Sequence, residues 1–305
     1  MIENLKQKIE MLIKEKNVLF LAHNYQRPEV QDMAHHVGDS LELSILASKS
    51  DADIILFAGV HFMAESAKIL SPDKLVLLPK IDAGCPMADM ADEESLIATK
   101  KKHPGAAVVS YVNSTAKVKA HSDICCTSAN AVRVVQSLDA KKILFLPDRN
   151  LAMYTASKVR DKEIIPWPGY CSVHDNLDAK EVIEQKAAHP DAMFMAHPEC
   201  RQEVLELADY AASTSGMLKL AKESDSKEII VGTEIGLIHR LEKENPTKEF
   251  IGFRKMVCAN MKKTGLDDIL HALENVDEHA IQVPEPTLSM AKKALDKMVA
   301  VPRNF

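Results

Sequence analysis

No stretch of this 305-residue chain approaches the roughly 18 consecutive apolar residues that a membrane-spanning helix needs. The opening Met1-Ile2-Glu3-Asn4-Leu5-Lys6 holds an acidic residue and no apolar core of signal-peptide length. These absences predict a cytoplasmic protein with no membrane partner. Positive charge is short as well: 38 Lys and Arg face 44 Asp and Glu, a formal net charge of -6. That balance argues against a nucleic-acid partner and leaves room for a small pocket that takes an anionic metabolite. Cysteine is scarce, and six scattered residues are too few for a disulfide scaffold. In a reducing compartment they are buried hydrophobes or metal ligands. Nothing suggests disorder, because 46% hydrophobic residues is ordinary for a globular chain long enough for two or three domains.

What is present is a spacing. Cys171 stands 86 residues after Cys85 and 87 before Cys258. Each follows a short apolar run and a few loop residues: Leu75-Val76-Leu77-Leu78-Pro79, Ile164-Ile165-Pro166-Trp167 and Phe250-Ile251-Gly252-Phe253. The pattern reads as one unit used three times, over residues 1–86, 87–172 and 173–260, with an extension at 261–305. Within the units, helical periodicity over residues 3–16 leads into a strand at Val18–Ala22. Two helical segments separated by Val37-Gly38-Asp39-Ser40 follow, then strands at 54–57 and 75–79. The second copy has strands at 107–111, 124–127 and 143–146, and the third at 192–196, 210–212 and 229–232. The extension reads as a helix near 267–275, a strand at Ala280-Ile281-Gln282-Val283 and a helix near 288–298.

Strands alternating with helices make parallel sheets covered on both faces. The expected class is α/β: three similar parallel-sheet αβα domains with pseudo-threefold symmetry around a central cavity. The intervals His23 to Asp39, Val112 to Thr127 and His197 to Ser213 are 16, 15 and 16 residues, which agree within one. Ligands of such sheets bind at the carboxyl ends of the strands. The polar residues at those ends should therefore meet in one place.

Three converging thiolates suit either a Cys₃His zinc site or an iron-sulfur cluster with one iron not held by protein, and spacing decides only weakly between them. The plainer reading is three buried core cysteines. Cys125 and Cys126 are adjacent in a strand and point to opposite faces, so they are poor joint ligands. Cys200 is read as a bystander. His23, Tyr25, Asn113, His174, His197 and Glu199 offer donors, acceptors and a carboxylate at strand or loop ends. Ser40, Ser128, Ser213 and Thr214 open predicted helices, where they either cap the helix or help its N-terminus bind an anion.

The motifs Ala22-His23-Asn24-Tyr25-Gln26, Gly38-Asp39-Ser40, Phe57-Ala58-Gly59-Val60-His61-Phe62-Met63-Ala64-Glu65 and Tyr111-Val112-Asn113-Ser114 are joined by four more. These are Thr127-Ser128-Ala129-Asn130, Pro147-Asp148-Arg149-Asn150, His197-Pro198-Glu199-Cys200 and Gly232-Thr233-Glu234-Ile235-Gly236. With Cys258-Ala259-Asn260-Met261-Lys262 they resemble the quinolinate synthase family over nearly the whole chain. The resemblance implies a triangular α/β protein with one [4Fe-4S] cluster held by Cys85, Cys171 and Cys258, its fourth iron not ligated by protein. It implies condensation of iminoaspartate with dihydroxyacetone phosphate to quinolinate, releasing phosphate and two waters, in NAD biosynthesis. It admits a transient contact with the enzyme that supplies iminoaspartate.

By position, His23, Ser40, Tyr111, Asn113, Ser128, His197, Ser213 and Thr214 would hold substrate anions, while Tyr25, His174 and Glu199 would handle protons. Ser172 stands where the family often has proline, a departure expected to loosen the loop that carries His174. Two other functions share parts of this pattern: another [4Fe-4S] hydro-lyase acting on a small carboxylate, and a non-enzymatic iron-sulfur metabolite or redox sensor.

Overall fold

In the computed structural model, which describes residues 2–303, the chain forms three four-stranded sheets with all neighbouring strands parallel. The first holds β1 (Val18–His23), β2 (His36–Gly38), β3 (Ile54–Ala58) and β4 (Leu75–Leu77). The second holds β5 (Ala107–Tyr111), β6 (Ile124–Cys126), β7 (Lys142–Leu146) and β8 (Glu163–Pro166). The third holds β9 (Met193–Ala196), β10 (Tyr210–Ala211), β11 (Glu228–Gly232) and β12 (Glu249–Gly252). Their orders, β2-β1-β3-β4, β6-β5-β7-β8 and β10-β9-β11-β12, are one topology used three times. This is the α/β class expected from the sequence. Among the described residues, no helix is long and apolar enough to cross a membrane.

The inner strands are apolar because helices cover both faces of each sheet. Phe20, Leu21, Val108, Val109, Phe194 and Met195 are all fully buried. Several helices start at a side chain that accepts a backbone N–H two or three residues on, among them Asp39, Asp92, Thr115, Asp148, Asp178 and Ser213. Ser40 is thus the first helical residue rather than the cap.

Strand registers settle which residues correspond. Ala22 pairs with Ala58, Ser110 with Leu146 and Ala196 with Gly232. One residue further on, His23, Tyr111 and His197 are therefore equivalent. The strand at 107–111 is found as expected, but the residue equivalent to His23 in the second copy is Tyr111, the last of that strand, one before the Val112 used in the expected interval. With that correction the intervals His23–Asp39, Tyr111–Thr127 and His197–Ser213 are all 16 residues.

Two other expectations change. Val37 and Gly38 do not merely separate helices: with His36 they form β2, an edge strand of three residues. Ala280–Val283 is not a strand and makes one antiparallel bridge, Ala280 to Leu77. Beyond that bridge Pro79 on one side and Pro284 on the other lack the N–H that a ladder requires.

The C-terminal segment is shared between units. Leu266, Ile269, Ala272 and Leu273 of the helix Leu266–Glu274 pack with Ile9 and Ile13 of the first helix against the first sheet. The helix Thr287–Ala300 crosses to the helix Ala116–Ala120 and β6, and also touches the helix His61–Leu70. Asn130, fully buried, ties this helix to the second sheet. Its Oδ1 accepts from Thr127 N at 2.8 Å, and its Nδ2 donates to the Met298 and Val301 carbonyls, each at 3.2 Å.

Replacing Asn130 with alanine takes a partner from the Thr127 amide and the Val301 carbonyl, while the Met298 carbonyl keeps Val301 N, so stability should drop by about 1–3 kcal/mol in urea unfolding. A loss below about 0.5 kcal/mol would show that the tie contributes little.

Candidate active site

The carboxyl ends of all three sheets face one cavity. Thirteen expected site residues line it: Cys85, Cys171, Cys258, His23, Tyr25, Ser40, Tyr111, Asn113, Ser128, His174, His197, Glu199 and Thr214. Ser213 is not a lining residue; it is buried, and its hydroxyl accepts from Gly216 N at 3.3 Å as the cap of the helix Thr214–Glu223. Among the described residues no Lys or Arg lines the cavity, so any bound anion meets neutral donors.

Those donors are oriented by the strand ends. The His23 ring nitrogen Nδ1 accepts from Tyr25 N at 3.1 Å, and His197 Nδ1 accepts from Glu199 N at 3.4 Å. Burial, as the leading cause, lowers His23 to about 4 and His197 to about 3. Both imidazoles are therefore neutral near pH 7 and carry their proton on Nε2. His197 Nε2 lies 3.2 Å from Ser128 Oγ. Thr214 Oγ1 accepts from Asn24 Nδ2 at 2.9 Å, which leaves its own O–H to donate. Asn113 Oδ1 is buried with no partner among the described residues, an acceptor left for a ligand.

A second group forms a directed chain. Glu199 Oε2 lies 2.6 Å from His174 Nδ1, and both side chains are only 2–3% exposed. Burial opposes the Glu199 charge, but His174 and His197, with hydrogen bonds from His174 and Tyr111, hold its carboxyl below the ordinary value. The ionised carboxylate only accepts, so His174 donates from Nδ1 and accepts at Nε2. Thr233 Oγ1 donates to that nitrogen across 2.8 Å and receives the Tyr25 O–H across 2.7 Å. Burial, then Glu199, pushes the Tyr25 phenol well above its ordinary value. Tyr25 is thus a protonated donor at one end, and Glu199 is a base at the other.

The ring of His174 also stacks on His197, with centroids 4.6 Å apart. Ser172 therefore does not loosen this loop: it opens the short helix Ser172–Asp175, and His174 is fixed from three sides. Glu199 Oε1 is buried and has no hydrogen-bond partner among the described residues.

The cysteines sit on anchored loops. Cys171 N donates to Asp148 Oδ2 at 3.1 Å, and Cys258 N donates to Glu234 Oε1 at 3.1 Å. Asp148 and Glu234 occupy equivalent places, two residues beyond the paired positions Leu146 and Gly232; their counterpart in the first unit is Val60. Gly169 permits the Cys171 approach, since a Cβ there would lie 2.5 Å from the Pro147 carbonyl oxygen.

All six cysteines are free. Burial raises Cys85 to about 12 and also raises Cys171 and Cys258, opposed by backbone N–H groups at residues 87 and 88, 174, and 260 and 261. Such thiols ionise when a metal centre takes the proton's place. The three sulfurs do not all lie within 4.8 Å of one another. A zinc ion with Zn–S bonds of about 2.3 Å holds tetrahedral sulfurs about 3.8 Å apart. Cys125, Cys126 and Cys200 are fully buried, and Cys200 Sγ faces the Gly232 carbonyl at 3.6 Å.

Sequence reasoning misses four contributors. Thr233 and Glu234 read only as a strand end, and Asp148 is indistinguishable in sequence from a plain helix cap. Arg303 is the fourth: its guanidinium grips Asp39 and Ser215, joining two helix starts at the cavity rim. Burial would raise Asp39, but Arg303 outweighs it and holds that carboxyl below its ordinary value. No local signal marks an arginine 264 residues away in sequence.

A threefold α/β scaffold with a cysteine collar and neutral anion donors around a buried acid-base chain defines the class: a small-molecule enzyme built around a metal centre. The chain belongs to the quinolinate synthetase A protein family, whose model matches residues 7–300. It is 54% identical over 301 residues to a quinolinate synthase of Pelobacter propionicus, covering 98% of this chain and 99% of that protein. A quinolinate synthase of Methanosarcina barkeri is also 54% identical, over 296 residues and 97% of each chain. One of Thermodesulfovibrio yellowstonii is 51% identical over 302 residues and 99% of each.

The two lowered histidines give a pH signature. Above pH 6.5 both are neutral in folded and unfolded chains; below it the unfolded chain takes up protons that the fold refuses until about pH 4 and 3. Stability should therefore fall as pH drops from about 6.5 to about 4, by about 1.4 kcal/mol per pH unit for each histidine once the unfolded form is fully protonated. Urea midpoints across that range should fall less steeply for His197→Gln; an unchanged slope would mean that His197 is protonated in the fold.

Proposed function

We propose that the chain is a quinolinate synthase, a transferase that condenses iminoaspartate with dihydroxyacetone phosphate to quinolinate, releasing phosphate and two waters, in NAD biosynthesis. The observation that carries this reading is the cavity that pairs neutral anion donors with a Tyr25–Thr233–His174–Glu199 hydrogen-bond chain. Both substrates are small anions, and joining them requires protons to leave and return to adjacent carbons. The family membership and the names of its relatives support the same activity.

Cys85, Cys171 and Cys258 are the residues that would hold one [4Fe-4S] cluster; the spread of their sulfurs and the burial of their thiols favour it over a single ion. When bound, a cluster with three protein thiolates supplies an iron free to act as a Lewis acid.

The remaining work belongs to the chain. His23 and His197 give their Nε2–H and Ser40, Ser128 and Thr214 their hydroxyls to substrate carboxylates and phosphate, and Tyr111 turns its O–H from Glu199 to these anions when substrate enters. Asn113 accepts from a substrate hydroxyl or imine, and Ser213 keeps the helix start beneath Thr214 in place. Neutral donors suit this role, because they satisfy anions in a buried site without adding charges that must themselves be paired. The nucleophilic enamine carbon of iminoaspartate displaces phosphate, forming the carbon-carbon bond. In the following keto-aldo isomerisation Glu199 Oε1 takes a proton from carbon while Tyr25 gives one to the developing alkoxide. Thr233 and His174 join the two by hydrogen bonds directed from Tyr25 toward Glu199, and so hold the acid and the base in fixed places relative to each other.

Anaerobically purified protein should carry about four irons per chain and form quinolinate from the two substrates, and Cys171→Ala should lose both properties. Iron retained by that variant would remove Cys171 from the collar. Glu199→Gln should keep its iron while kcat falls at least about 100-fold, as expected when a general base is lost. Thr233→Val, which cuts the chain but leaves both ends, should lower kcat with KM little changed; full activity would show that the link positions neither end.

A further inference from the structure

We propose that His271, Glu278 and His279 form a binding site for a divalent transition-metal ion of the zinc type, separate from the central cavity. Their ligand atoms lie within 4.8 Å of one another. His271 is in the last turn of the helix Leu266–Glu274, and the 3-10 turn Val276–His279 folds the chain back beside it. His271 Nδ1 and His279 Nε2 come to 2.9 Å, with the rings edge to face at 74°.

The tautomer carries the argument. His279 Nδ1 is 3.1 Å from the Leu78 carbonyl oxygen. A carbonyl only accepts, so Nδ1 holds the proton and Nε2 presents its lone pair toward His271. A metal-binding histidine is oriented in this way, its second nitrogen donating to a backbone carbonyl. Without an ion, His271 fills the gap with an Nδ1–H that donates to His279 Nε2. On metal binding the His271 proton moves to Nε2, leaving Nδ1 as a second lone pair with no change in ring charge. His271 and Glu278 are exposed, so neither the proton shift nor a swing of the carboxylate meets resistance from packing.

The distances are within reach of such an ion. Tetrahedral zinc with Zn–N bonds of about 2.0–2.1 Å sets its nitrogens about 3.3 Å apart, so the imidazole pair need open by only about 0.4 Å. Glu278 supplies the third ligand and water a fourth. Two imidazoles and one carboxylate favour zinc and its transition-metal neighbours over magnesium or calcium, which take oxygen ligands.

The place gives the ion a structural role. Leu78 N donates to the His279 carbonyl at 3.0 Å, Ile281 N donates to the Val76 carbonyl at 2.8 Å, and Ala280 bridges to Leu77. The site therefore lies where the C-terminal segment is stitched to the edge of the first sheet. An ion there would brace the helix Leu266–Glu274 against β4. This inference does not depend on the reaction proposed for the cavity.

The test uses cluster-loaded protein, kept anaerobic, freed of loosely bound metal and titrated with Zn²⁺ in isothermal calorimetry. One Zn²⁺ per chain should bind without loss of cluster iron, and Mg²⁺ should give no heat. His271→Ala and Glu278→Gln should each weaken Zn²⁺ binding at least about tenfold while preserving the His279–Leu78 bond, so a failure of His279→Ala to fold would not obscure the result. At a hundredfold excess over Kd, Zn²⁺ should raise the melting temperature by roughly 4 °C in the parent protein and by much less in the variants. Equal affinity in parent and His271→Ala, no Zn²⁺ uptake by the parent, or uptake only as iron leaves, would each overturn the site.

Discussion

A carboxylate buried at the centre of a protein must be compensated there, and the Glu199–His174 contact of 2.6 Å meets that requirement in this chain. Leaving a buried charge without its hydrogen-bond donor typically costs about 1–3 kcal/mol or more, so the two residues fix each other. Most of the cavity geometry follows from this contact. It sets the His174 tautomer, which makes Nε2 an acceptor, which in turn orients Thr233 and Tyr25. It also places the loop carrying Cys171, whose sulfur lies 3.2 Å from His174 Nδ1. The acid-base chain and one leg of the cysteine collar thus share a single residue.

Carboxylates recur one layer out with another purpose. Asp148 and Glu234 each accept the amide of a cysteine, and each spends its other oxygen on a neighbouring backbone N–H, Leu151 or Gly236. Lys262 balances Glu234 at 3.0 Å. Asp148 has no such cation among the described residues, and burial with the nearby Glu199 charge pushes its carboxyl well above the ordinary range. The second and third cysteine loops are therefore held by carboxylates that accept the cysteine amide, whereas the first is held by His61 N, which donates to the Ala83 carbonyl at 2.8 Å, and by Lys263 Nζ, which donates to the Asp82 carbonyl at 2.8 Å.

Much of this is legible in the sequence because single residue types carry it. Cysteine spacing marks the threefold plan, and polar residues ending apolar runs mark the strand ends. The strand ending at Tyr111 is read correctly, but its register against the other two copies is not, because that needs the strand pairing. The three-residue edge β2 escapes because His36-Val37-Gly38 has neither the length nor the apolar content of an inner strand. Ala280–Val283 looks like a strand but has no partner long enough to pair with. Thr233, Asp148, Glu234 and Arg303 are unreadable as functional groups for a common reason: each acts by gripping a residue distant in sequence, and one chain read alone records no such pairing.

The threefold plan also explains how a symmetric scaffold yields an asymmetric site. His23, Tyr111 and His197 are equivalent by register, and two residues on so are Tyr25, Asn113 and Glu199. The first trio is chemically alike, three neutral donors that project from three sides. The second trio differs in every copy: a phenol raised well above its ordinary value, a neutral amide with an unpartnered oxygen, and a carboxylate held ionised by imidazoles. Repetition of the backbone supplies convergence, because equivalent strand ends reach the same centre. Divergence at one position per copy then gives equivalent places different affinities for a proton, which a strictly symmetric trio would not possess.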